Sequence, residues 1–335
     1  MSRFSIILPV RNGGDYVHEC VQSILAQSLP DFQLLVLDNC STDGTREWLE
    51  SLRDQRISIF PANNPLTIEE NWHRITQVPK NEFITLIGHD DILDPHYLTV
   101  MDRLISKHPD ASLYQAHFRY IDSAGRTIRR SKPMDERQNK YEFLSFFLSN
   151  SIDTMGSGFM MRAADYDAIG GIPPTYPNLL FADFELWINL TRRSYKATAF
   201  EECFAFRLHQ STTTTSSDII FHKAFKKFIH YLSTLKAEDS TMKEIIDRYA
   251  IGFINFYTKG LAHRLLRSPK KMRSGLTVAG LISESQKMAD ELIPGNQLNP
   301  YGQPGVKLAR QIDSNYFSRQ LFLFFKKVYR QPVYS

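Results

Sequence analysis

The first 95 residues alternate between short apolar runs and amphipathic stretches, and this alternation limits the possible folds more than any other feature of the chain. Apolar runs of strand length occupy residues 4–10, 32–37, 56–60 and 82–87. Apolar residues at helical spacing lie between successive runs. A strand–helix alternation of this kind predicts an α/β fold with a mostly parallel sheet, whose ligand site lies at the carboxyl ends of the strands.

The pattern changes after residue 112. Residues 112–121 and 127–129 read as a hairpin, and residues 158–162 as a further strand. A polar run at 212–217 then precedes apolar stripes at helical spacing. We therefore predict two domains, an α/β catalytic domain at 1–215 and a basic, mainly α-helical C-terminal region at 216–335.

Composition restricts the function. Residues 221–335 hold 19 Lys+Arg against 8 Asp+Glu, while the first 220 residues are acidic. A basic region suits nucleic acid, anionic lipid or a phosphorylated substrate, but no nucleic-acid reader motif is recognisable, so nucleic-acid binding is disfavoured. The 3 cysteines are too few for a disulfide framework and fit a reducing compartment. No bilayer-length apolar stretch and no signal peptide are apparent, which predicts a cytoplasmic protein.

Four segments, taken in order, resemble the family 2 glycosyltransferases: residues 5–12, 37–45, 88–91 and 183–187. The resemblance covers roughly the first 210 residues and implies a GT-A fold, which is Rossmann-like with a mostly parallel central sheet. It also implies a nucleotide-sugar donor, a divalent metal (Mn²⁺ or Mg²⁺) and inversion at the anomeric carbon.

The second strand ends at Asp38, ahead of a turn rich in Ser, Thr, Asp and Gly. A carboxylate there can accept a hydrogen bond from a uracil or thymine N–H, although an aspartate in this position also commonly caps a helix or stabilises a turn. The family resemblance favours the nucleobase contact. The other predicted nucleotide contacts are Pro9, Val10, Arg11, Asn63 and Asn71.

Asp90 and Asp91 follow the fourth predicted strand. Adjacent carboxylates repel each other, and a divalent cation held by their oxygens could neutralise a departing diphosphate. Helix capping by Asp91 or Asp94 is the alternative. The resemblance adds His209 as a metal ligand and Arg207 as a diphosphate contact; a surface histidine and a surface ion pair are the alternatives. Where the family often has a ribose-binding aspartate this chain has Gly88, so His89 or the backbone is expected to contact the donor instead.

Asp183 is the predicted general base, since an acceptor hydroxyl must lose its proton as the new bond forms. The aromatic side chains of Phe181, Phe184 and Trp187 would partly exclude water and increase its basicity. A helix-capping role for Asp183 is compatible with this one. Trp187 is expected to pack in the core, and residues 156–158 could admit an acceptor or form a plain turn.

The last predicted helix has an apolar face at Phe317, Leu321, Phe324, Phe325 and Val328. Such a helix could lie in an anionic membrane interface, cover the catalytic domain or meet a partner chain. The predicted function is transfer of a UDP- or dTDP-linked sugar to a saccharide or lipid-linked saccharide of bacterial lipopolysaccharide or capsule. A sugar-nucleotide pyrophosphorylase and a non-catalytic nucleotide-sugar-binding scaffold protein are the alternatives.

Overall fold

The computed structural model describes residues 2–208, 216–268 and 273–328. Two compact units are present, Met1–Thr215 and Ser216–Ser335.

The first unit is built on a ten-stranded sheet. Its strands are β1 (Phe4–Val10), β2 (Phe32–Asp38), β3 (Ile57–Ile59), β4 (Phe83–Leu86), β5 (Ile92–Leu93), β6 (Leu113–Ile121), β7 (Thr127–Arg130), β8 (Arg137–Asn139), β9 (Met160–Arg162) and β10 (Tyr195–Arg207). Their order is β3-β2-β1-β4-β9-β6-β10-β5, with β7 beside β6 and β8 beside β10.

The strands β1–β4 run parallel to one another, and so do β6 and β10. β1 pairs with β2 on one side and with β4 on the other, β2 pairs with β3, and β6 pairs with β10, all in parallel. The short strand β9 enters antiparallel between β4 and β6. Because β1, β2 and β4 run the same way, the loops that follow them meet at one edge. The expected α/β fold of GT-A type is confirmed.

Helices cover this sheet: α1 (Gly14–Leu25), α2 (Thr45–Ser51), α3 (Ile68–His73), α4 (Tyr97–Lys107), α5 (Lys140–Leu148), α6 (Ala163–Ala168) and α7 (Ala182–Arg193). The helix predicted for residues 67–77 is α3 followed by a 3₁₀ turn at Arg74–Thr76. Thr67 and Glu70 form a reciprocal capping box that starts α3.

The second unit consists of helices α8 (Asp218–Glu238), α9 (Ser240–Arg267), α10 (Val278–Leu292), α11 (Pro304–Ser314) and α12 (Tyr316–Val328). A buried cluster from α9, α10 and α11 includes Leu261, Leu265, Leu281 and Val306, and Phe322 of α12 packs against it. Within the described ranges, none of the helices has both the length and the hydropathy needed to span a bilayer. The helical character predicted for the C-terminal region is confirmed.

Candidate active site

Asp38 ends β2 and is 1% exposed. Its carboxylate accepts a hydrogen bond from the backbone N–H of Ser41, at 3.3 Å for Oδ1. Asp38 pairs with Val10 in the register of β1 and β2, and the N–H of Asn39 donates to the Val10 carbonyl at 2.9 Å. Asp38 thus has the turn-stabilising role that sequence analysis offered as the alternative to a nucleobase contact, and the two roles are compatible.

The loops that follow β1 and β2 are joined by side-chain hydrogen bonds. Asn12, which has a left-handed φ of 54°, donates its N–H to Ser41 Oγ at 3.0 Å, and its Oδ1 accepts from Thr42 N–H at 2.8 Å. The Gly13 N–H donates to Thr45 Oγ1 at 3.1 Å. These hydrogen bonds join the two loops into one rim at the carboxyl ends of β1 and β2.

Of the residues predicted near the base, Pro9 and Val10 are buried in β1, and Arg11 is exposed at the rim. Asn63 is exposed in the loop after β3.

Asn71 is buried, and its amide is used inside the protein. Its Nδ2 donates to the Leu37 carbonyl at 3.2 Å, and its Oδ1 accepts from Arg74 Nη1 at 2.9 Å. Arg74 also donates to the carbonyls of Asp38 (3.3 Å) and Phe60 (2.6 Å). Asn71 and Arg74 therefore fix α3 to the end of β2, and a nucleotide contact by Asn71 stays a prediction.

Asp91 is 1% exposed and is held by two donors. Its Oδ1 accepts from the backbone N–H of Arg207 at 2.9 Å, and its Oδ2 accepts a short hydrogen bond from the Ser157 hydroxyl. Burial, together with the charge of Asp90, raises the pKa of Asp91 well above its usual range, against the lowering effect of these donors and of the Arg207 charge. A negative charge on Asp91 is therefore costly at this place.

Gly88 leaves room for both carboxylates. A Cβ at this position would stand 2.6 Å from Asp90 Oδ1 and 3.2 Å from Asp91 Oδ2. An aspartate here, as in the common family pattern, would therefore require the Asp90 side chain to move. His89 and Asp90 lie beside Gly88 and are partly exposed.

Arg207 has a side chain that is 1% exposed. Its Nε donates to the Asp90 carbonyl at 2.8 Å, its Nη1 lies 3.3 Å from the carbonyls of Asp122 and Ser123, and its Nη2 pairs with Glu19. Arg207 therefore fixes the backbone of the acidic pair to the end of β10. The predicted contact with a diphosphate would compete with these bonds.

Asp183 lies in the first turn of α7. The side chain is partly exposed, yet the surrounding protein removes much of its hydration. Burial raises the pKa of Asp183 to about 7, although backbone N–H groups of Asp183 and Phe184 oppose the shift. A carboxyl group with this pKa can take up a proton near neutral pH, as a general base requires.

One short loop connects Asp183 to the acidic pair. Asp183 Oδ2 lies 3.7 Å from the position of a Cβ on Gly156, and the next residue, Ser157, binds Asp91. Trp187 Nε1 donates to the Met155 carbonyl at 3.0 Å. The structure therefore brings the predicted base and the predicted metal-binding pair to the two sides of the loop at residues 155–158.

The far end of this loop is also fixed. The Gly158 N–H donates to the Leu86 carbonyl of β4 at 3.0 Å, and the Tyr97 hydroxyl donates to the Gly158 carbonyl at 3.3 Å. Trp187 is 1% exposed and stacks on Phe159 at 4.3 Å between centroids, so its core packing is as expected.

The predicted metal ligand His209 lies outside the described residues. Among those that are described, no group of three or more His, Cys, Asp or Glu side chains could by itself hold a metal ion. The donor set of Asp90 and Asp91 nevertheless fits a hard cation, because adjacent carboxylates supply the oxygen ligands that such cations prefer. Both oxygens of Asp91 accept hydrogen bonds, one from the Ser157 hydroxyl and one from the Arg207 N–H.

The glycines on both sides of Ser157 mark residues 156–158 as a place of close approach, but the sequence pattern does not indicate that Ser157 binds Asp91. It does not mark Arg74 or Glu19 as parts of this arrangement. Arg74 and Glu19 occur in helical segments with no local signal of this kind.

Residues 5–170 match the family model described as Glycosyl transferase family 2. An uncharacterised glycosyltransferase of Rickettsia typhi is 25% identical over 219 residues, which cover 64% of this chain and 66% of that protein, just under two thirds of its length. TuaG of Bacillus subtilis, a glycosyltransferase assigned to teichuronic acid biosynthesis, is 24% identical over 220 residues, covering 63% of this chain and 81% of TuaG.

Among solved structures, the chain is similar to residues 1–349 of TarS from Staphylococcus aureus, a poly(ribitol-phosphate) β-N-acetylglucosaminyltransferase. The TM-score is 0.61 at 15% identity, with 99% of this chain and 93% of that chain covered. The same fragment solved with UDP-GlcNAc gives a TM-score of 0.53 at 15% identity, covering 92% and 79%. At this identity the similarity establishes the fold.

Proposed function

The chain belongs to glycosyl transferase family 2, and from this premise we propose that it transfers a sugar, with inversion, from a UDP- or dTDP-linked donor to a hydroxyl group of a saccharide acceptor. Membership of a glycosyltransferase family favours an enzyme of transferase type over the pyrophosphorylase and scaffold alternatives. The UDP-GlcNAc complex of TarS supports a nucleotide-sugar donor for a chain of this fold.

The observation that carries the proposal is the loop at residues 155–158. It places Asp183, whose pKa is about 7, beside Gly156, while Ser157 binds Asp91. A transferase needs these two chemical environments close together, one that stabilises a leaving diphosphate and one that accepts a proton from the incoming alcohol.

In the proposed reaction, Asp183 takes the proton of the acceptor hydroxyl as its oxygen bonds to the anomeric carbon. The bond from that carbon to the diphosphate oxygen breaks, and the nucleoside diphosphate leaves. Positioned general bases contribute on the order of 10²–10⁴-fold to such reactions. The aromatic rings of Phe181 and Phe184, 5.5 Å apart, flank the first turn of α7 and limit the access of water to the base.

Asp90 would hold a divalent cation, Mn²⁺ or Mg²⁺, with Asp91 supporting it and His209 as a further candidate ligand. When bound, the cation would supply positive charge against the diphosphate. Arg207 and Ser157 keep the two carboxylates in place through the bonds described above. Asp38, with Pro9, Val10 and Arg11, would contact the nucleobase at the neighbouring strand end.

For the acceptor we propose a growing bacterial surface polysaccharide, of the lipopolysaccharide or capsule type. The names of TuaG and TarS refer to teichuronic acid biosynthesis and to a poly(ribitol-phosphate), which supports a polymeric acceptor. The family motifs specify neither the sugar nor the linkage, since these depend on the shape of the pocket around the sugar ring.

We also propose that α12 contacts an anionic membrane surface. Five side chains on one arc of this helix are at least 53% exposed, namely Phe317, Leu321, Phe324, Phe325 and Val328. The side of the helix that packs inward instead buries Arg319 (4% exposed). Residues 320–335 contain three basic residues and no acidic one. A second copy of this helix would bring like charges together, whereas anionic lipid complements them.

A screen of nucleotide sugars tests the proposed donor class. We expect UDP or dTDP to raise the melting temperature when Mn²⁺ is present and to have little effect without it, because ligands that bind only the folded state stabilise it. One nucleotide sugar should then be hydrolysed slowly in a metal-dependent manner. Equal stabilisation by UDP with and without metal would contradict the assignment of Asp90.

A further inference from the structure

The segment that leads into α7 has an unusual backbone. Asn178, Leu179 and Phe181 all have left-handed φ angles, of 55°, 54° and 68°. None of them is glycine, and residues with a Cβ adopt this region only at a cost in free energy. Three such residues within four positions, directly before the helix that carries Asp183, need contacts from elsewhere to hold them. We name residues 178–181 the α7 bend.

Glu69 of α3 provides such a contact. Its Oε1 accepts a hydrogen bond from the backbone N–H of Asn178 at 2.6 Å, across 109 positions of the sequence. A second bond, from the Tyr176 hydroxyl to Glu185 Oε2 at 2.6 Å, joins the segment before the bend to the first turn of α7. Side chains of α3 and residues 174–177 also line an open cavity of about 490 Å³. Glu69 therefore makes a polar contact from α3 to the bend at a place where packing is incomplete.

The other side of α3 is fixed to the sheet. Asn71 and Arg74 donate to the carbonyls of Leu37 and Asp38 at the end of β2. Since α3 is fixed at these points, its Glu69 carboxylate is a well-placed acceptor for the bend.

From this geometry we infer that Glu69 is a positioning residue for Asp183. Its carboxylate holds the α7 bend in the left-handed conformation and thereby sets where Asp183, the second residue of α7, stands beside Gly156. Through α3, the same contact ties the base to the strand end that carries Asp38. The inference rests on the proposed role of Asp183 as the general base.

Three single variants of the full chain test this role, with kcat for transfer, the Kd for UDP in the presence of Mn²⁺, and the melting temperature as readouts. Glu69→Ala removes the acceptor and should lower kcat at least tenfold, with the Kd for UDP within about twofold of wild type. Glu69→Gln retains a carbonyl oxygen and should keep kcat within about threefold. Glu70→Ala removes only the capping bond to Thr67, so it should lower the melting temperature without lowering kcat.

A double variant separates positioning from general loss of structure. Glycine adopts left-handed backbone without penalty, so Leu179→Gly should restore part of the kcat lost in Glu69→Ala. The inference is wrong if Glu69→Ala keeps the kcat of the wild type, or if Glu70→Ala lowers kcat as much as Glu69→Ala does. Transfer that survives Asp183→Asn would instead refute the proposed base, whatever the result at Glu69.

Discussion

The backbone N–H of Arg207 donates a hydrogen bond of 2.9 Å to Asp91 Oδ1, joining the end of β10 to the acidic pair after β4 across 116 positions of the chain. The Arg207 side chain also donates to the Asp90 carbonyl. One residue thus fixes both members of the pair. The proposed diphosphate site therefore depends on the end of β10 as well as on β4, the strand that precedes the acidic pair.

The first prediction concerns pH. Burial raises the pKa of Asp183 to about 7, and a general base works only when it is deprotonated. We expect kcat to fall about tenfold per pH unit below pH 7 and to level off above it. The measurement is kcat at saturating donor and acceptor from pH 5.5 to 9. A flat profile through pH 7 would show that Asp183 is not the titrating base.

The raised pKa of Asp183 also makes the free energy of unfolding depend on pH. The folded state holds the Asp183 proton more tightly than the unfolded chain does, so this group stabilises the fold at low pH, and its contribution is lost as the pH rises from about 4 through 7. Asp183→Asn should therefore make the free energy of unfolding less dependent on pH across this range. Urea denaturation of both proteins at pH 5 and pH 8 measures the difference.

The second prediction uses the space at Gly88. A methyl group there would stand 2.6 Å from Asp90 Oδ1, so Gly88→Ala must displace that carboxylate. We expect the Mn²⁺-dependent affinity for UDP to fall about tenfold, equivalent to ~1.4 kcal/mol. Calorimetric titration with UDP and Mn²⁺ checks this. Gly252→Ala, in α9 with no atom within 4 Å of the added methyl group, is the matched control and should leave UDP binding unchanged.

The third prediction compares two glycines of the loop at residues 155–158. Gly158 has a φ of 76°, and a Cβ there would lie 2.6 Å from the Phe204 ring. Gly158→Ala should therefore lower the free energy of unfolding by about 2–4 kcal/mol. Gly156→Ala makes an ordinary contact of 3.7 Å with Asp183, so it should leave stability nearly unchanged and raise the KM for the acceptor. Chemical denaturation and acceptor kinetics distinguish the two effects; equal stability of both variants would contradict this account.

The fourth prediction concerns α12. Leu321→Glu combined with Phe325→Glu places two charges on the exposed apolar arc, and binding to phosphatidylglycerol vesicles should fall by at least about 100-fold, since each side chain is worth roughly 1.5–3 kcal/mol in an apolar environment. Sedimentation with such vesicles measures it. Gln311→Glu, an exposed position on α11, controls for added charge. If the double variant and the wild type sediment equally, α12 does not bind the membrane surface.

The strands and the motif positions of the first unit could be predicted from the sequence because both depend on local patterns. Buried parallel strands read as apolar runs, and Asp38 and Asp90 follow two of them. Since β1 lies between β2 and β4, the convergence of these two acids at one edge follows from the topology.

Contacts made by polar residues across long sequence separations could not be predicted in this way. β8 is a three-residue strand that pairs with the start of β10, and neither its length nor its composition marks it in the sequence. Asn71 is a second example. The family resemblance predicts that it contacts the nucleotide, but the sequence gives no sign that its amide also bonds to the Leu37 carbonyl and to Arg74. The donors to Asp91 likewise become visible only in the folded chain.

Asp183→Asn separates loss of the proposed base from loss of donor binding when sugar transfer and UDP binding are measured on the same preparation. The asparagine keeps the shape of the side chain but cannot take up the acceptor's proton, so kcat should fall by about 10²–10⁴-fold, while the Kd for UDP with Mn²⁺ stays within about twofold. Transfer at the wild-type rate by a folded, UDP-binding Asp183→Asn protein would contradict the account.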